Sequence, residues 1–322
     1  MTSSHPATFD DELAPWRDRL AHADPAVRRI AVLDLIDEAG DEHAPLLIQA
    51  LADEAAVVRL EAVRALEAFE SPDSVAAIIA LLQDADIEVR QAAAHALSEL
   101  KLPSSAPLLL AQAHASQPEV LVAILRGLRE LRAPQSLAPA LEAVAHADAE
   151  VRREAVAVLG YLKQESAIAA LTGLAVTDPH ADVRRAATGA LGFSRDSAVL
   201  PALLSALRDA HWQVREEAAT TLGKLKPAEA VADLIAGLED PYWQVRLRAA
   251  RSLGRLRDAR AVSALLITLT HSNSNLRKES ALALGEIGDE SALPALLLAE
   301  QDPDPEVRKS VRLALEQIGR DR

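Results

Sequence analysis

The chain has no cysteine among its 322 residues. That removes disulfides, iron–sulfur clusters, thiolate zinc sites and a cysteine nucleophile together. Aromatic residues make up only 2% of it. A core must therefore be built from Leu, Ala, Val and Ile, a composition that favours helices over strands. No stretch approaches the roughly 18 uncharged apolar residues that a membrane span needs. The start is acidic and has no basic segment leading into an apolar run, which argues against a secretory signal. A cytoplasmic, soluble protein is the expectation. Gly-rich phosphate loops, nucleophile elbows and His-Glu-x-x-His motifs are also missing.

Charge is present but uneven. The net value is −14, of which residues 1–161 carry −13 and residues 162–322 only −1. An acidic first half repels phosphate backbones and argues against wrapping nucleic acid along the full length. Solubility alone is enough to account for the excess.

The dominant positive feature is a period. Arg28, Arg59, Arg90, Arg152, Arg184, Arg215, Arg246, Arg277 and Arg308 each follow a hydrophobic residue. They fall 31 residues apart once Leu121 is counted in the empty slot, apart from one step of 32 between Arg152 and Arg184. A fixed spacing of this length means stacked supersecondary units.

Within one unit, Val214, Ala218, Thr221, Leu222 and Leu225 share one helical face. Pro227 stops that helix. Ala230, Leu234, Ile235 and Leu238 then form a second apolar series, which ends at Asp240-Pro241. The template fits the neighbouring units and predicts about ten helix pairs. The first opens near Asp10–His22, and the last closes with a charged helix over Glu306–Arg320 that can face water as a cap. Residues 1–9 are expected to be a disordered tail, and residues 10–322 a single array. The repeat Arg residues, with Asp24, Asp86, Asp148 and Asp304 four positions ahead of theirs, are expected to tie adjacent turns together.

The segments Asp24–Arg28, Asp148–Arg152 and Asp304–Arg308 read Asp-x-x-Val-Arg, and each is followed at a set distance by Ala and then Leu-Gly or its equivalent. In this the chain resembles the HEAT-repeat family, in its short form named after phycobilisome (PBS) lyases, over roughly residues 10–320. The resemblance implies a right-handed α-α superhelix, a HEAT solenoid, whose second helices line the concave side. It also implies a scaffold or adaptor gripping a protein partner there. Gly stands eight residues after the Arg at Gly160, Gly192, Gly223, Gly254 and Gly285, so the C-terminal half keeps the family pattern more closely.

Two kinds of enzyme resemble the chain in repeat type. Deoxyhypusine hydroxylase, a di-iron oxidoreductase of similar repeat type, carries His-Glu pairs directly after the repeat Arg. Here those two positions include Glu61, Glu154, Glu217 and Glu279 but never His, so the ligand set is missing. Bilin lyases handle chromophores and would need an apolar cleft with basic residues. Tyr161 and Phe193, in equivalent slots, mark a candidate groove for such an accessory role in cofactor maturation. Asp178-Pro-His180 and Asp209-Ala-His211 repeat an Asp-x-His pattern, but Asp is common at such turns for capping reasons alone. No metal, no cofactor and no catalytic residue is assigned.

The most suggestive surface lies around residue 211. His211, Trp212, Tyr242 and Trp243 place large aromatics at turns, and Arg248, Arg251 and Arg255 share one helix face. An anionic protein segment would fit there. The competing reading is a charge ladder, with Arg248 between Glu217 and Glu279 and Arg255 beside Glu286. The expectation is therefore a non-catalytic protein-binding scaffold, with nucleic acid and membrane partners argued against.

Overall fold

The computed structural model describes residues 9–37, 43–115 and 117–320. Of the tail expected over residues 1–9, residues 1–8 lie outside these, and Phe9 opens the first helix. Every element among the described residues is helical. The fold is all-α, of the α-α superhelix class, with twenty α-helices that pair as the period predicted.

Ten helices carry the repeat Arg or its equivalent. They are α2 (Pro25–Asp37), α4 (Ala56–Leu66), α6 (Ile87–Ser98), α8 (Pro118–Leu131), α10 (Ala149–Leu162), α12 (Ala181–Ala190), α14 (Trp212–Leu225), α16 (Trp243–Leu256), α18 (Ser274–Ile287) and α20 (Pro305–Arg320). Ten others alternate with them: α1 (Phe9–Leu20), α3 (Ala44–Ala50), α5 (Pro72–Ala80), α7 (Ala106–Leu110), α9 (Leu137–Ala143), α11 (Ile168–Thr177), α13 (Leu200–Ala206), α15 (Val231–Gly237), α17 (Val262–Thr268) and α19 (Leu293–Ala299). The chain packs as two compact units, residues 1–158 and 159–322.

In the first unit, α2, α4, α6 and α8 stack in succession, and α3, α5 and α7 do the same behind them. In the second, α12, α14, α16, α18 and α20 form the equivalent row. The sequence dictates this closeness. Three residues after the Arg stands Ala in most repeats, and Ala31, Ala62, Ala93, Ala187, Ala218 and Ala249 are completely buried. Side chains of one carbon leave room for neighbouring helices to approach, while Leu35, Leu97, Leu128, Leu222, Leu253 and Leu284 fill the space between the rows. A helix whose Leu stripe is covered only by the next repeat has no dry state alone.

Two glycines stand closest to the backbone of a neighbouring helix. A methyl group at Gly254 would stand 2.7 Å from Ala283 Cα, and one at Gly285 would stand 2.6 Å from Ala314 Cα. Only a missing Cβ permits α16, α18 and α20 to pack this closely. The helices α8, α14, α16 and α18 end on a residue in the left-handed region, namely Arg132, Lys226, Arg257 and Gly288. The helix α12 does not. It stops four residues early and tightens into a 3₁₀ turn over Leu191–Phe193, followed by Ser194 and Asp196 where the next repeat has Leu225 and Pro227.

Candidate protein-docking surface

The turns are built on one repeated clamp. Arg28 donates from Nε and Nη2 to the two carboxylate oxygens of Asp53, at 2.7 and 2.8 Å. Its Nη1 donates to the carbonyls of His22 and Ala23. Arg59 grips Asp84 in the same way, Arg184 grips Asp209, Arg215 grips Asp240, and Arg277 grips Asp302. Each Asp also receives the backbone N–H two residues on, so the clamp fixes the following turn as well.

The repeat Arg residues thus tie adjacent turns as expected, each through the Asp 25 residues downstream. Asp24, Asp86, Asp148 and Asp304 instead accept backbone N–H groups at the starts of their own helices. A short carboxylate at that position reaches the free helical amides before it reaches any neighbouring guanidinium. The pairs are nearly dry: the Arg28 and Asp53 side chains are 6% and 11% exposed. Burial alone would push the Asp53, Asp209 and Asp240 carboxyls up, but bonds from Arg28, Arg184 and Arg215 and from backbone amides outweigh it and hold them below the usual range. For Asp84 and Asp302 the hydrogen bonds from Arg59 and Arg277 dominate outright, again downward.

The aromatic residues singled out around position 211 do come together. Trp212, at the start of α14, stacks on Tyr242, just ahead of α16, with centroids 5.5 Å apart and planes 14° from parallel. The Arg215 guanidinium lies over the Tyr242 ring at 5.7 Å while it holds Asp240. Tyr242 is therefore fixed from two directions, yet remains 46% exposed, and its neighbour Trp243 is 47% exposed. His211 is exposed too, its backbone N–H held by Asp209.

The basic face of α16 divides. Arg251 makes a two-pronged pair with buried Glu279, at 2.7 and 2.8 Å. Arg248 donates from Nε to Glu216 at 3.1 Å, rather than lying between Glu217 and Glu279. Arg255 is exposed and lines a small polar pocket with Glu286 and Gln317. Two of the three charges are thus balanced inside the protein, and Arg255 faces solvent.

The other candidates are separated by their surroundings. Tyr161, on α10, is exposed. Phe193 lines a hollow of about 530 Å³ with Leu203, Leu225, Arg195 and Lys224. That hollow lies beside Ser194, which occupies a slot where its neighbours carry Leu. The carboxylates in the positions where the hydroxylase keeps ligands are already engaged. Glu61 pairs with Arg29, Glu154 with Arg126, Arg129 and Arg153, and Glu279 with Arg251. Asp209 is consumed by Arg184. Among the described residues no three His, Asp or Glu side chains are grouped to hold a metal ion, and no helix is long and apolar enough to cross a membrane.

Rows of paired helices, pinned by buried Arg–Asp clamps and offering aromatic side chains at the turns, define a helical-repeat protein of the α-solenoid class. The HEAT-repeat family profile matches residues 13–73, 44–122, 106–192, 174–241 and 231–316. The chain belongs to the HEAT-repeat family. No curated protein matches it significantly.

Solved structures agree on the fold. An engineered protein is 21% identical, with a TM-score of 0.52, and the match covers 96% of this chain and 99% of that one. An Escherichia coli protein, YibA, is 20% identical with a TM-score of 0.54, over 91% of this chain and 97% of its own. Importin beta is 16% identical with a TM-score of 0.63, over 96% of this chain but only 51% of its own.

Proposed function

We propose that the chain is a non-catalytic scaffold or adaptor that binds a protein partner, with the turns at the start of α14 and α16 as the contact. The observation that carries this is the half-exposed pair Tyr242 and Trp243, of which Tyr242 is held by Trp212 and Arg215. Aromatic anchors that are already ordered lose little entropy on binding, which makes them the residues on which interface energy concentrates. Arg255, open to solvent on the same helix, supports an acidic segment in the partner. Nucleic acid is a poorer fit, because Arg248 and Arg251 are neutralised by Glu216 and Glu279.

HEAT-type neighbours support the reading at the level of fold, since one of the similar solved structures is a Kap95 complex with Nup1. The reading extends to the short, PBS-lyase-like repeat type, to residues 10–322 as one solenoid, and to a cytoplasmic site of action. The test is affinity purification of cross-linked complexes with the native chain and with a Tyr242→Ala/Trp243→Ala variant. A partner lost by the variant at unchanged thermal stability supports the assignment. Identical partners with both would refute it.

A second reading rests on the hollow beside Phe193. Its mixed lining, with Arg195 and Lys224 at the rim of an apolar wall, suits a chromophore or cofactor with acidic groups. Absorbance titration with bilins separates the two, and no spectral change is expected if the scaffold reading holds.

A further inference from the structure

The clamp is interrupted at two arginines, and the two interruptions differ. Arg246 meets His271 where an Asp would stand, 25 residues on. His271 Nδ1 accepts the Asn273 N–H, as the Asp carboxylates do for their own turns. The Arg246 Nε is completely buried and has no partner. That gap is plugged.

Arg90 meets Ala115 at the same offset. Its Nη1 keeps the usual bonds to the carbonyls of Asp84 and Ala85. Its Nε and Nη2, the two groups that grip Asp in five other repeats, hold no hydrogen bond among the described residues, and Nε is not sealed as it is in Arg246. Arg90 opens onto a cavity of about 420 Å³ bounded by α6, α8 and the start of α10. The next repeat carries Leu121 in place of its Arg, and the other guanidinium that lines the cavity, that of Arg126, is already held by Glu150 and Glu154.

We propose that this cavity receives the side-chain carboxylate of an Asp or Glu from a bound protein, which takes the place of the missing ladder Asp on Arg90. The guanidinium is already oriented by its two carbonyl contacts, so an incoming carboxylate finds two parallel N–H donors without reorganisation. The apolar part of the lining, Leu82, Ile87 and Val122, accommodates the stem of such a residue. Carboxylates also border the cavity, but two are spent: Asp148 caps α10, and Glu150 pairs with Arg126 at 2.6 Å. Glu119 is exposed, where water screens it. The site lies in the first unit, apart from the aromatic turns of the second, so either can fail without the other.

The test is an NMR titration of the full-length protein with N-acetyl-aspartate N-methylamide, read at the side-chain Nε–H resonance of Arg90. Saturable movement in the millimolar range is expected, with no response to the asparagine analogue. Ala115→Asp places the carboxylate within the chain and is expected to weaken the response about tenfold or more. Because this variant keeps Arg90 and completes a clamp, a loss of response with it does not reflect unfolding. No saturable movement, an equal response to the asparagine analogue, or full binding by Ala115→Asp would each overturn the proposal. Tighter binding of N-acetyl-alanine, whose only carboxylate is C-terminal, would overturn the side-chain assignment.

Discussion

Replacing His271 by Asp should repair the sealed break in the ladder. Arg246 Nε is a buried donor with no acceptor, a state that costs about 1–3 kcal/mol. In the five copies described above the Asp accepts from Nε and Nη2 of the Arg and from a backbone amide two residues on. In the Arg277–Asp302 copy those bonds are 2.7, 2.8 and 2.8 Å. An Asp at position 271 would take over the Asn273 N–H now held by the imidazole, so no bond is lost in the exchange. The net gain is therefore about 1–3 kcal/mol. At about 2–4 °C per kcal/mol for a cooperative unit of this size, the midpoint should rise by roughly 2–12 °C. Calorimetry of the native chain, His271→Asp, Arg246→Gln and the double variant forms a complete cycle. A neutral or destabilising His271→Asp, or a gain that survives when Arg246 is Gln, would refute the clamp as the source of the stability.

The remaining predictions follow from the same geometry. Asp53, Asp84, Asp209, Asp240 and Asp302 have folded-state pKa values below their unfolded values. Their contribution is complete above about pH 5 and is lost as pH falls past the unfolded value of about 3.9 and through the folded ones, so urea midpoints should hold near neutrality and drop steeply below pH 4. Asp209→Asn leaves the Arg184 charge without its counter-ion in a mostly buried site and should cost about 3–5 kcal/mol by denaturant unfolding. Arg251→Glu should also destabilise, though by less, because Glu279 is buried and would face a like charge while the position 251 side chain is partly solvated, whereas Arg255→Glu should leave the midpoint unchanged and alter only partner capture. Gly285→Ala forces a methyl against Ala314 Cα at 2.6 Å and should cost about 1–3 kcal/mol. Gly173→Ala has open space around it and should instead stabilise α11 by up to about 1 kcal/mol.

Much of this protein was legible as a string of residues. The 31-residue recurrence of Val-Arg, the Ala three positions on and the Leu stripe specify paired helices directly, because a helical face is a local periodicity and needs no knowledge of the rest of the chain. The sequence showed His211 and Trp212 in one turn and Tyr242 and Trp243 in the equivalent slots of the next, and stacking of the repeats sets Trp212 on Tyr242. That the repeat Arg residues tie adjacent turns was expected, but which Asp each one grips was not named, although the signal was present: Asp recurs 25 residues after Arg28, Arg59, Arg184, Arg215 and Arg277. The nearer Asp at minus four was an equally regular candidate. Only the turn geometry decides that its carboxylate reaches the amides of its own helix first, as Asp148 does at 2.8 Å.

Side-chain pairing across repeats likewise belongs to tertiary structure. Arg251 rather than Arg248 takes Glu279, because the stagger between α16 and α18 brings those two side chains into reach. Composition and period therefore determined the helices, their number and their stacking order. The three-dimensional packing alone decided which charges cancel, and it left Arg90 facing an open cavity while sealing Arg246. The physical reason is range: helix formation reads neighbours one turn away, whereas a charge is satisfied or stranded by whichever group a different repeat delivers to it.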